Sequence, residues 1–317
     1  PSGGNPLPRG NKFENCNRGI KAINCKNVTA LANTFTANAT SVPVVTTLGS
    51  PPYQFSQPNP NSYYYYNAQS AIFASGVTNV MQASYNDINN YGNGIYSNFT
   101  SSSIGASVRC YTNNIAASSA TGYCMQAMQI DQSGGFTSSF VDIISNTITA
   151  VYRGIAANTV KNNLTISLNQ VTIQDVTKNL NYSASSSRTG INITGCNYGR
   201  VLGNRVTSNA GAIPNTATAA NYQTGIYVKG TPNSRVECNS TYHLGRGFVF
   251  EAGCANSKWL ANEMFDSYRG LEMRMSAVIG AQGGAAGTPN LSANTWTTVT
   301  EETYVFITNP NPTSKLY

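Results

Sequence analysis

Apolar residues recur in this chain at two fixed kinds of position. Between Thr224 and Arg274, Gly225, Gly247 and Gly270 each precede a large apolar residue, Ile226, Phe248 and Leu271. The alternation continues at Val228, Phe250 and Met273, which predicts a strand with one face buried. Asn239 and Asn262 each stand eight residues before the next such glycine. The unit returns after 22 and then 23 residues, too short for two helices and their turns. A second strand is predicted around each Asn, as in Val201/Val206 and Trp259/Met264.

Both anchors run the length of the chain. An Asn two residues before an apolar or aromatic residue occurs at Asn11, Asn33, Asn86, Asn113, Asn146, Asn169, Asn204, Asn239, Asn262 and Asn294, Asn239 being the weakest match. Between them fall Gly19-Ile20, Ala71-Ile72, Gly94-Ile95, Gly122-Tyr123, Gly154-Ile155, Gly190-Ile191 and the three pairs above. Where the spacing exceeds 22–23 residues, polar or Pro/Gly-rich sequence intervenes, at 41–67, 97–105, 126–139, 177–188, 208–222 and 277–292. These insertions read as surface loops on two corners of a fixed scaffold.

Short strands separated by turns at this period predict an all-β fold: a single right-handed parallel β-helix of about ten coils of 22–23 residues, with loop insertions at the corners. The helix is expected over residues 1–308, closing with one or two strands in Trp296–Thr308, and 309–317 reads as a linker or C-terminal tail. Asn at a turn tolerates a left-handed backbone, and stacked amides bond along the axis. A second Asn column is expected at Asn27, Asn197, Asn233 and Asn256. Cys25, Cys196, Thr231 and Cys254 form a small column pointing inward, so these cysteines read as core and not as disulfides. No amphipathic helix precedes Asn11 to cover that end of the stack. A partner, another part of a longer polypeptide, or Pro1–Pro8 is expected there.

The G-I-x-[VI] and N-x-[VIF] repeats, seen from Asn11 to about Trp296, resemble the right-handed parallel β-helix proteins of the pectate-lyase-like superfamily. The Asn/Thr/Tyr-rich style is similar to large exported surface proteins of Bacteroidota. The resemblance implies the fold and leaves the activity open. Polysaccharide-cleaving members of that superfamily need carboxylates, with Ca²⁺ and a basic residue for a lyase.

Composition narrows the chemistry. Only 10% of residues are charged, against roughly 25% in an average soluble protein. The net charge is +7, with 19 Lys and Arg against 12 Asp and Glu. That balance suits a polysaccharide or other anionic surface polymer, and no nucleic-acid partner is expected. Seven Cys without C-x-x-C, and one histidine, His243, give no zinc set, so no metal is expected. No apolar run is long enough for a membrane span. The chain begins without Met or signal peptide and reads as the mature or excised portion of an exported precursor, extracellular or on the cell surface.

No adjacent Asp pair and no catalytic motif occurs. The expected role is a non-catalytic structural, adhesive or glycan-binding module of a larger protein or assembly. The alternatives are a lyase-like enzyme on an acidic glycan and a phage or fibre spike. In the 22/23 register Thr194, Lys229, Glu251 and Arg274 form one outward column, and Asn192, Tyr227, Val249 and Glu272 the next. If the chain is an enzyme, Glu251, Glu272 and Arg274 are the candidate groups, and only then is Ca²⁺ expected. Ligand-binding candidates are Lys229, Tyr227, Arg246, Arg269, Tyr64 and Tyr65. Arg18, Arg153, Arg246 and Arg269 each precede an anchor glycine, and Arg109, Arg200, Arg235 and Lys258 each lie four residues before an anchor Asn. Either column could be a stripe for an anionic polymer.

Overall fold

The computed structural model describes residues 10–37, 70–100, 106–116, 124–133, 140–150, 153–174, 188–209, 223–279, 293–298 and 306–308, apart from 15, 17, 125 and 276, together with the backbone of 55–56 and 63–64. These residues build a right-handed parallel β-helix with three sides. Sheet A has ten strands, from Lys12–Glu14 to Thr295–Thr297, each following an anchor Asn. Sheet B has ten, from Arg18–Ile23 to Phe306–Thr308, and carries the anchor glycines. Sheet C has eight, from Asn27–Leu31 to Lys258–Leu260. Strands in each sheet stand in chain order and pair in parallel with the coil before and after.

The second strand expected around each Asn is in fact two strands from Asn33 to Asn262, one in sheet C and one in sheet A. Val201 and Val206 lie on separate strands, Arg200–Leu202 and Arg205–Ser208, and Asn204 is the corner between them. The conformational role expected of Asn belongs to the residue in front of it. Ala32, Tyr85, Thr112, Ser145, Leu168, Cys238 and Ala261 all have φ between 52° and 58°. A non-glycine residue there costs on the order of 1–2 kcal/mol, and it recurs coil after coil because the Asn that follows repays it in hydrogen bonds. The buried Oδ1 of Asn169 accepts from the backbone N–H of Asn146 (3.0 Å) and from its Nδ2 (2.9 Å), while Asn169 Nδ2 donates to the Ile143 carbonyl (2.9 Å). The same pattern joins Asn11 through Asn294.

The core follows the alternation. Ile88, Ile115, Ile148, Val171 and Val206 stack down sheet A, and Ile155, Ile191, Ile226 and Phe248 down sheet B, all 0–1% exposed. The glycines line the corner from A to B, where a Cβ on Gly247 would stand 2.7 Å from the Gly270 carbonyl and 2.8 Å from Met264. One anchor is corrected. Ile95 pairs with Met128, so Ala127-Met128 takes the place read for Gly122-Tyr123. Small Ala127 satisfies the same close approach.

The small column also forms: Cys196 and Cys254 are buried, Cys25 is half-buried, and none of the described cysteines is in a disulfide. The second Asn column bonds side chain to side chain, Asn256 to Asn233 and Asn233 to Asn197, each at 3.2 Å. The spacings longer than one coil fall between sheets A and B or after sheet B, and the two-residue corner at the anchor Asn is never interrupted. Length varies only away from the buried ladder of the anchor asparagines.

Candidate functional site

The alternate positions of sheet B, between its inward residues, form an outer face whose register matches the columns read from the repeat. Asn192, Tyr227, Val249 and Glu272 are successive partners, and so are Thr194, Lys229, Glu251 and Arg274. The column in front of the glycines runs through Arg153, Thr189, Thr224, Arg246 and Arg269. These three columns bring seven of the predicted site residues together, and four of them are buried: Glu272 is 1% exposed, Arg246 2%, Glu251 5% and Arg269 8%.

The ion pairing departs from the simple ladder expected along Lys229, Glu251 and Arg274. Lys229 does meet Glu251, at 2.6 Å. Arg274, however, turns along its own strand and bonds Glu272 through Nε. Glu272 thereby becomes a hub, with Arg269 Nη1 at 3.3 Å and Arg246 Nη1 at 3.8 Å on its other oxygen. Arg246 is anchored in turn by Nε donating to Thr224 Oγ1 at 3.0 Å. Burial pushes the Glu272 carboxyl above its usual range, against the pull of Arg269 and with a further push from Glu251. Burial lowers the Arg274 guanidinium. Tyr227 is pushed up by burial and by its hydrogen bond to Glu251. Four cations thus surround two carboxylates, and both carboxylates have cationic partners. A carboxylate already ringed by cations is a poor ligand for a further cation.

Further along the same face lies a polar cluster absent from the sequence reading. Asp131 occupies the Glu251 column four strands earlier. It accepts from Asn158 Nδ2 at 2.6 Å and from Gln129 Nε2, and also bonds Tyr96. Burial raises its carboxyl above the ordinary range, with those bonds and Arg153 opposing. The misplaced anchor hid it: counted from Met128, Asp131 stands where Glu251 stands from Phe248. At about 4.8 Å per strand, roughly 19 Å separates Asp131 from Glu251, too far for the two to work as an acid/base pair.

The outer face of sheet C has the opposite character. Arg109, Asp142, Thr165, Arg200, Arg235 and Lys258 are successive partners in one column. Arg109 is exposed and faces Asp142, so that end is balanced. Arg200, Arg235 and Lys258 follow as three exposed cations in register, with Glu237 alongside bonding Arg235 at 2.7 Å. Tyr198, 55% exposed, stands two residues before Arg200, and Arg205, beyond the Asn204 corner, lies over the Tyr242 ring at 4.5 Å.

Of the remaining predicted residues, Tyr64 pairs with Phe55 in a short antiparallel hairpin, and Tyr65 lies outside the described residues. His243 is exposed, with Nδ1 3.5 Å from Asp266. Among the described residues no three His, Cys, Asp or Glu side chains converge on a possible metal position, and no helix is long and apolar enough to cross a membrane. Comparison with protein-family models, with curated proteins and with solved structures finds no match for this chain.

Proposed function

We propose that this chain is a non-catalytic module of an exported or cell-surface protein, and that it holds an acidic polysaccharide along the outer face of sheet C. By its repeats we place it with the pectate-lyase-like β-helices, in the style of exported Bacteroidota surface proteins. The observation that carries the reading is the stack Arg200, Arg235 and Lys258. Like charges directly opposite one another on neighbouring strands are destabilising, and here three occur in succession with one carboxylate beside them. A fold gains nothing from that arrangement, whereas a polyanion running along the solenoid axis meets a cation about every 4.8 Å. Tyr198 adds an exposed ring beside the stripe for the apolar face of a sugar. The carboxylates of sheet B, by contrast, are committed to Lys229, Arg246, Arg269 and Arg274.

Calorimetric titration with polygalacturonate and with dextran sulfate tests the reading. Binding is expected at low salt and is expected to weaken steeply as salt shortens the screening length. Replacing Arg200, Arg235 and Lys258 together by Gln should weaken it by about tenfold or more, ~1.4 kcal/mol per factor of ten. Unchanged affinity in that variant sinks the site. Release of unsaturated uronate, read by absorbance near 235 nm, sinks the non-catalytic reading and returns attention to Glu251, Glu272 and Arg274.

A further inference from the structure

The asparagine ladder has a direction. In each rung the Oδ1 of one Asn accepts from the backbone N–H and the Nδ2 of the Asn one coil earlier. Asn33 takes them from Asn11 at 3.0 and 3.4 Å, and Asn294 from Asn262 at 2.9 and 3.1 Å. The two ends are therefore left with opposite needs. Asn11 is exposed, and its Oδ1 receives no donor among the described residues. Asn294 is half-buried; its Nδ2 reaches the Trp259 carbonyl at 3.0 Å, and its backbone N–H has no acceptor among the described residues.

The strands that follow these two residues match as well. Among the described residues Lys12–Glu14 pairs on one side only, with Thr34–Thr36, and Thr295–Thr297 on one side only, with Glu263–Phe265. Both end the inward column of sheet A in an aromatic ring that remains partly open. Phe13 stacks on Phe35 at 4.8 Å, and Trp296, 38% exposed, meets Trp259 at 5.7 Å. Continuing the register past Asn294 sets Asn11 of another copy in the next rung and Phe13 over Trp296. Lys12 and Glu14, paired with each other at 2.6 Å, then lie over Thr295 and Thr297. No like charges are opposed, and both unpaired strand edges are used.

We propose that this chain stacks head to tail on itself, the Asn294 end of one copy docking on the Asn11 end of the next, so that sheet A and its ladder run on through the contact. Such a contact is heterologous: each copy keeps one open end, and assembly proceeds to open filaments with no stop at a dimer. The inference is independent of the anionic-polymer reading, because sheet C takes no part in it.

Sedimentation velocity over about a hundredfold range of concentration tests it. The unaltered chain should grow past a dimer. Phe13→Arg and Trp296→Arg, each blocking one end, should each stay monomeric, with circular dichroism checking that both remain folded. Asn11→Leu removes the terminal acceptor without adding charge to the core, and should shift association to higher concentration. The decisive sample is the equimolar mixture of Phe13→Arg and Trp296→Arg. It should form a dimer and go no further, because each variant retains the end the other has lost. A monomer at every concentration, a closed dimer of the unaltered chain, continued growth of either end-blocked variant, or a mixture that stays monomeric would each overturn the proposal.

Discussion

Sheets B and C each carry a run of cations brought into register by the same 22–23-residue repeat, and the two runs have different fates. On sheet B, Arg246 and Arg269 converge with Arg274 on one buried carboxylate, and Lys229 takes another. On sheet C, Arg200, Arg235 and Lys258 are exposed, with Glu237 paired to Arg235 among the described residues. Taking a charge out of water costs several kcal/mol unless it is paired, so the buried run had to acquire its carboxylates. In solvent the repulsion is screened and the run can persist with one carboxylate for three cations. The difference teaches that charge in a solenoid is read one face at a time. A column of cations marks a binding stripe only where the cations outnumber their carboxylates and the face is open.

Glu272→Ala breaks the comparison most strongly. It leaves buried guanidinium groups without their carboxylate and should cost about 3–5 kcal/mol in urea unfolding. Glu272→Gln keeps an acceptor oxygen and should cost less. Arg235→Ala on the open face should change stability by no more than about 0.5 kcal/mol. Equal losses for Glu272→Ala and Arg235→Ala would mean that the two faces are not energetically distinct.

A second pair asks whether burial, and not the number of side-chain bonds, sets such costs. Asn169→Ala, in the buried ladder, strands the backbone N–H of Asn146 and should cost about 2–3 kcal/mol. Asn256→Ala, in the exposed ladder, leaves groups that water can reach, and should cost under about 0.5 kcal/mol.

The smallest effect is in pH. Because burial raises Glu272, the folded chain takes up this proton before the unfolded chain does. The contribution of this group to stability should therefore rise as pH falls from neutrality toward the ordinary carboxyl value of 4.5, and level off below it. The stability difference between the unaltered chain and Glu272→Gln, followed by urea unfolding across that range, reads it directly. A difference that shrinks as pH falls would place the arginines above burial as the stronger influence on Glu272.

Much of this is legible in the sequence. Alternation after each glycine placed the inward residues, and counting by 22–23 put Lys229 beside Glu251 and Glu251 beside Arg274, as the register has them. The corner at Asn204 is marked only by an odd spacing: Val201 and Val206 stand five residues apart, which one strand would send to opposite faces, so both point inward only with a turn between them. Asp131 escaped because Gly122-Tyr123 offers a small-then-large pair five residues ahead of Ala127-Met128, the pair that the register uses. A repeat that tolerates Ala or Gly at a crowded corner does not announce which one it uses.

The sequence by itself determined the period, the ladder, the core columns and the order of side chains on each face, since all of these follow from short-range spacing and backbone geometry. The tertiary structure alone decided which charges meet. A register fixes neighbours to within one strand, but whether Arg274 turns to Glu251 across the strand or to Glu272 along it depends on burial and on side-chain reach. The same holds for the choice between a buried and an open face. Arg246 and Arg235 both recur at the coil period, and only the folded chain buries the first against Glu272 and leaves the second exposed beside Glu237.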